Sequence, residues 1–184
     1  MKIIGGIYKG REIKGPRSKS IRPTLAKVRE AFFDIINGDI EGAYFLDLYA
    51  GTGAMGIEAL SRGARKVYFV DHSKVSATLL SKNLAFIDSN LYVIVRMDIM
   101  RALEHIRLKN IKFDIAYIDP PYGNITAYTH VLKNMIHYDI MNNRFIIGIE
   151  HNKAPENLFH GLFPDIIVKV YNYGDTNLTV LRRL

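Results

Sequence analysis

The chain has 184 residues, 48% of them hydrophobic, with 25 Lys and Arg against 18 Asp and Glu and no cysteine. That length accommodates one domain with a small appendage and a sizeable core, and the absence of thiols excludes disulfides, a thiolate nucleophile and cysteine-type zinc sites. No stretch approaches the roughly 18 apolar residues of a membrane span and no long apolar leader opens the chain, so a soluble, cytoplasmic protein without a membrane partner is expected.

The leading segment carries the charge. Residues 1–30 hold nine basic side chains, Lys2, Lys9, Arg11, Lys14, Arg17, Lys19, Arg22, Lys27 and Arg29, against Glu12 and Glu30. The remaining residues hold 16 of each sign, so the net charge of +7 resides in the leader. Such a segment suits a polyanion, through phosphate contacts and counterion release. The plainer alternative is a solvated basic surface. Lys2 to Tyr8 and Gly10 to Lys14 predict a β-hairpin turning near Lys9-Gly10, followed by a polar, basic loop from Gly15 to Ser20. Thr24 is a good N-cap, and Leu25, Val28, Phe32 and Ile35 or Ile36 recur at helical spacing until Asn37-Gly38.

Beyond residue 38, strands and helices alternate. Strands are predicted at 44–49, 66–70, 91–95, 113–118 and 145–149, and helices at 54–62, 73–87, 99–107 and 125–138. Such alternation implies right-handed crossovers and an α/β, Rossmann-like, mostly parallel sheet. Ile166 to Tyr171 and Asn177 to Leu181 flank Asn172-Tyr173-Gly174-Asp175, which reads as a hairpin closing the sheet antiparallel, for seven strands in all. The expected organisation is a basic hairpin and helix over 1–38 and a catalytic domain over 39–184.

Two loops carry the chemistry. Gly51-Thr52-Gly53-Ala54-Met55-Gly56 follows the first strand and fits the dinucleotide pattern G-x-G-x-x-G. Asp71 follows the second strand and suits ribose hydroxyls, although alone it would read as a helix cap. NAD is therefore a competitor. Asp47, just before the glycines, argues for another cofactor: its charge opposes a pyrophosphate but favours an ammonium group such as that of S-adenosylmethionine. The second loop is Asp119-Pro120-Pro121-Tyr122, after the fourth strand. Proline fixes φ, lacks an N–H and forces the preceding residue to be extended, so the segment is stiff with outward carbonyls. The Asp119 carboxylate and Pro120 carbonyl can accept both hydrogens of an exocyclic amine and turn its lone pair towards an electrophile. Tyr122 offers a face on which a base stacks, worth about 1–3 kcal/mol. A Pro-Pro turn with a solvated Asp is the plain alternative. His130 and His137 lie seven apart on a predicted helix, but no H-E-x-x-H pair exists and no metal is expected.

These features together resemble a class I S-adenosylmethionine-dependent methyltransferase. Arg22-Pro23-Thr24, Val28-Arg29-Glu30, Leu46 to Gly53, Glu58 to Ala64, Tyr173 to Thr176 and the initial Ile3-Ile4-Gly5-Gly6 with Lys9-Gly10-Arg11 resemble a narrower family, the bacterial RsmD-type 16S ribosomal RNA guanine-N2 methyltransferases. The resemblance covers essentially the whole chain. Lys27 before Val28-Arg29-Glu30, and Ile99 after Asp98, depart from its usual pattern. It implies that Asp47, Gly51 and Gly53 hold the methionine part of the cofactor. Asp71 would take the ribose, with His72 beside the adenine, and Asp98 and Ile99 the adenine amine and ring. Asp119, Pro120, Pro121 and Tyr122 would grip the target guanine. Lys9, Arg11, Arg17 and Lys19 would serve the RNA, Arg22, Thr24 and Arg29 would serve it too or bridge it to the cofactor, and Glu150 either lines the site or ends a strand in solvent. The implied protein is a monomer acting on 16S rRNA, whether naked or in an assembling or assembled small ribosomal subunit. A DNA adenine-N6 methyltransferase would share the Asp119 grip but needs a larger recognition domain. A protein glutamine methyltransferase prefers Asn at position 119. A nucleic-acid-binding module without catalysis is the alternative outside enzymes.

Overall fold

The computed structural model describes residues 1–15, 26–120, 125–152, 159 and 165–184. The elements run α1 (Ala26–Ile35), β1 (Tyr44–Leu48), α2 (Ala54–Ser61), β2 (Lys66–Val70), α3 (Lys74–Asn83), a 3₁₀ turn (Ser89–Leu91), β3 (Tyr92–Val95), α4 (Ile99–Leu108), β4 (Phe113–Ile118), α5 (Ile125–His137), β5 (Met141–His151), β6 (Ile166–Tyr173) and β7 (Thr176–Arg183). The seven strands form one sheet in the order β3-β2-β1-β4-β5-β7-β6. β1 to β5 are parallel, and β7 pairs antiparallel with both β5 and β6.

The order reverses between β1 and β4. β1 leads outward to β2 and β3, whereas β4 leads the other way to β5, and a crevice opens at the carboxyl ends between them. Both chemically loaded loops leave the sheet at this point. β1 and β4 are apolar nearly throughout because each is covered on both faces. On one face Val28 and Phe32 of α1, Ile57 of α2 and Leu80 of α3 pack with Phe45, Ile115 and Tyr117. On the other, Leu103 and Ile106 of α4 and Leu132 and Met135 of α5 pack with Leu46, Leu48, Ala116 and Ile118. Phe32 meets Tyr117 edge to face with centroids 5.0 Å apart.

The leader keeps the expected hairpin in shortened form, with the Ile3 N–H donating to Arg11 O at 3.0 Å and the Ile13 N–H to Met1 O at 2.8 Å. A single antiparallel bridge joins Lys2 to Glu12, and residues 5–10 are turns and bends rather than paired strand. The cause is a better use of backbone groups elsewhere. The Ile4 and Gly5 N–H groups donate to the Glu58 carboxylate of α2 at 2.9 and 2.7 Å, and the Tyr8 N–H donates to Ser61 Oγ at 2.9 Å. Ile3 and Ile13 are buried in the same core cluster as Phe45 and Ile115, so the described leader packs on the sheet domain. α3 stops at Asn83, four residues before the expected end, and Phe86 turns back to meet Tyr8 edge to face at 5.2 Å. β5 begins four residues early, with an irregular register between Phe113 and Ile115 of β4. Asp114 explains the irregularity: its carboxylate accepts from Tyr44 N at 2.8 Å and from Asn142 Nδ2 at 2.6 Å.

Candidate active site at the carboxyl edge

The glycine loop is shaped by steric necessity. Gly53 ends it at φ 81°, a left-handed conformation that side chains disfavour, and α2 begins immediately without a side-chain cap. The N–H groups that open the helix suit a carboxylate, and the Gly56 N–H in its first turn already serves one, that of Asp47. Gly56 brings α2 close to β2: a Cβ there would stand 2.2 Å from Phe69 Cε1.

Two carboxylates brace the loop. Asp47, on β1, is 2% exposed and its Oδ2 accepts from Gly56 N at 3.0 Å. Burial pushes its pKa up to about 7; the Gly56 N–H opposes this and the charge of Asp71 adds to it. Asp71, just past β2, accepts from Gly51 N at 2.9 Å through Oδ2 and from Ser73 N at 2.8 Å through Oδ1. Ser73 then caps α3 by accepting from Val75 N and Ser76 N. His72, between them, is exposed. Past β3, Asp98 is exposed and caps α4 by accepting from Met100 N at 2.9 Å, while Ile99 is buried in the core.

Across the crevice, Leu48 pairs with Ile118 in the β1–β4 register. One step further stand Tyr49 and Asp119, which puts the start of the Asp-Pro loop beside the glycine loop. Asp119 is half-exposed and Pro120 buried; Pro121 and Tyr122 lie outside the described residues. Beneath Asp119, the buried Tyr117 hydroxyl donates to Glu150 Oε2 at 2.9 Å. Burial first, then the negative charges of Glu150 and Asp119, holds that phenol well above its usual range and therefore neutral. Glu150 is itself 3% exposed, which excludes the solvated strand end for this residue.

Two residues were missed from sequence. Tyr49 adopts φ 62°, a left-handed conformation unusual for an aromatic residue, beside the glycine loop. Its hydroxyl is pushed up by burial and by the charge of Asp98. Its place between Asp47 and Gly51 was the available signal. His151 ends β5 with its Nε2 2.7 Å from Thr179 Oγ1 and its Nδ1 against the Asn152 carbonyl. A carbonyl only accepts, so Nδ1 carries the proton and Nε2 accepts the Thr179 hydroxyl. Burial lowers the His151 pKa and keeps the ring neutral.

The RNA residues divide. Lys9 and Arg11 are exposed, and the Arg11 guanidinium lies over the Phe86 ring at 4.0 Å. Arg17, Lys19, Arg22 and Thr24 lie outside the described residues. Arg29 requires a correction: it is 1% exposed and cannot reach a polyanion. Its Nη2 donates to Lys2 O at 2.7 Å and its Nε lies 3.6 Å from Glu58 Oε2, because the α1 face that carries it turns inward against the leader. A cleft of about 520 Å³ bordered by Asp114, Arg144 and Arg182 opens at the opposite, amino edge of the sheet and contains none of the expected site residues.

The sheet order and the loops at its switch point define a class I methyltransferase fold. A solved structure titled "Putative methyltransferase yhhF from Escherichia coli" matches all of this chain and 97% of its own, with a TM-score of 0.86 at 26% identity. The family model described as conserved hypothetical protein 95 matches residues 1–182, and the chain belongs to that family, the RsmD-type methyltransferases. Among its relatives, "Putative rRNA methyltransferase YlbH" of Bacillus subtilis is 30% identical over 184 residues, covering 100% of this chain and 99% of its own. "Ribosomal RNA small subunit methyltransferase D" of Buchnera aphidicola (strain APS) is 34% identical over 134 residues, 72% of this chain and 69% of its own.

Proposed function

We propose that this protein transfers a methyl group from S-adenosylmethionine to the exocyclic N2 amine of a guanine in 16S rRNA, within the small ribosomal subunit. The observation that carries the reading is the pairing of β1 with β4, which sets Asp119-Pro120 beside a glycine loop underlain by a buried acid. The names of the relatives supply the substrate class.

The donor set suits the cofactor. Asp47 is buried with a raised pKa, so a nearby ammonium favours its ionised form and its charge in turn favours that ammonium. The uncapped start of α2 suits the methionine carboxylate. Asp71 is fixed by two backbone N–H groups and keeps lone pairs for ribose hydroxyls. The cofactor brings a methyl group already activated on a sulfonium. The protein's work is therefore orientation and electrostatics. The guanine leaves its helix or loop to enter the crevice. Asp119 and the Pro120 carbonyl hold the two amine hydrogens and aim the nitrogen lone pair at the methyl carbon. As the N–C bond forms, the S–C bond breaks and leaves a neutral thioether. The surplus proton on nitrogen passes to Asp119 or to water. The neutral Tyr117 phenol, bonded to Glu150, adds no further charge beneath Asp119.

The test is incubation with methyl-labelled cofactor and, separately, small subunits lacking their modifications, bare 16S RNA and duplex DNA, followed by nucleoside analysis. N2-methylguanosine from the subunit or its RNA is the expected product. Label in N6-methyladenine of DNA would overturn the substrate, and bound cofactor without label anywhere would leave a binding module.

A further inference from the structure

The basic leader and the glycine loop meet at one side chain. Asn83, the last residue of α3, is 3% exposed. Its Nδ2 donates to the Thr52 carbonyl at 2.9 Å and to the Lys14 carbonyl at 3.0 Å. Its Oδ1 accepts from the Lys14 N–H at 2.9 Å. Both amide hydrogens and the carbonyl are thus engaged. Thr52 lies between the two glycines of the loop, and Lys14 stands just before the stretch that contains Arg17, Lys19 and Arg22. The helix does not need this arrangement to end, because the Leu84 N–H caps it on Leu80 O. The other end of α3 follows Asp71, whose carboxylate holds Gly51 N. The glycine loop is therefore held from both ends of α3, and at one of them the same amide also holds the leader. A buried amide with every polar atom paired fixes its partners relative to one another, since each group left unpaired costs about 1–3 kcal/mol.

We propose that Asn83 is a positioning residue that couples occupancy of the glycine loop to RNA affinity of the basic leader. The proposal rests on reading the loop as the S-adenosylmethionine site and the leader as the RNA-binding segment. A cofactor that fixes Thr52 holds the Asn83 amide in line, and the amide holds both backbone groups of Lys14 where the basic stretch begins. RNA then meets a leader whose anchor is already set. Linkage requires the reverse as well: bound RNA tightens cofactor binding by the same factor.

The test measures binding to bare 16S RNA, or to small subunits lacking their modifications, whichever accepts the methyl group. Dissociation constants are taken with and without saturating S-adenosylhomocysteine, for the wild type and for Asn83→Ala. The expected result is tightening of about fivefold or more in the wild type and a ratio near one in Asn83→Ala, which circular dichroism shows to be folded. A merely structural role would weaken both affinities and leave the ratio intact, and that outcome overturns the proposal. So does a wild-type ratio of one. Should Asn83→Ala fail to fold, Lys14→Pro deletes the leader's N–H to Asn83 together with the lysine side chain, and Lys14→Ala, which keeps the N–H, controls for the lost charge. Coupling lost in the proline variant and kept in the alanine variant supports the proposal; coupling kept in both overturns it. A wild type that binds neither ligand would overturn the parent reading, which is distinct from binding both without coupling.

Discussion

Two buried acids within one helix length of each other are treated in opposite ways. Glu58, inside α2, receives the Ile4 and Gly5 N–H groups, Arg62 Nε at 3.0 Å and the nearby Arg29 guanidinium. Asp47, beneath the glycine loop, receives one described hydrogen bond, from Gly56 N. Both are nearly inaccessible. The difference separates an acid that builds from one that waits. Glu58 has its donors supplied by the protein and ties the leader to the domain. Asp47 has one backbone donor against its burial, and burial raises its pKa to about 7; in the proposed reading the cofactor's ammonium supplies the opposite charge.

Glu58→Ala puts the first half of that comparison to its hardest test. It leaves the buried Arg29 without its counter-ion and two N–H groups without an acceptor, so a loss of about 3–5 kcal/mol is expected in urea unfolding. A loss below about 1 kcal/mol would mean that the leader is tied down elsewhere. Asp119→Ala tests whether the waiting half faces chemistry. Turnover should fall about 100-fold or more, while calorimetry finds cofactor affinity nearly intact.

Asp47→Asn sharpens the contrast itself. A ligand ammonium favours ionised Asp47, so binding lowers its pKa and releases a proton. Cofactor affinity should therefore rise as pH climbs through about 7 in the wild type. The variant should lose that slope and about tenfold in affinity at pH 8, a difference of ~1.4 kcal/mol. Stability runs the other way. A carboxyl raised above its unfolded value of 3.8 contributes stability that is full below that value and lost as pH rises through about 7. Asn at this position should accordingly make the ligand-free protein less sensitive to pH across that window in thermal unfolding. The smallest effect is expected from Lys9→Ala with Arg11→Ala, which should weaken RNA binding and flatten the log–log salt dependence by about 1–2 units. An unchanged slope would remove these two side chains from the interface.

Much of this was legible in the sequence because backbone rules are local. Apolar runs of strand length and glycines followed by a helix each announce their own conformation, and their order announces the switch point. Tertiary uses of polar groups were not legible. Arg29 reads as one more cation in a basic leader until Glu58, 29 residues later, is seen to claim it. The short leader bridge has the same origin, since the N–H groups of Ile4 and Gly5 would suit a strand had no carboxylate stood beside them. Tyr49 was hidden differently: its distinction is a backbone angle, and nothing in an aromatic side chain declares a positive φ.

The attachment of the leader has a consequence for the order of assembly. Its partners are Glu58, Ser61 and Asn83, separated from it in sequence by 53 to 69 residues. Residues 1–14 are thus among the last able to settle, because α2 and α3 must exist before they find acceptors. Closing such long loops costs entropy that only finished helices repay. Residues 1–14 act as a late seal, closed onto α2 and α3 only once the core has formed behind them.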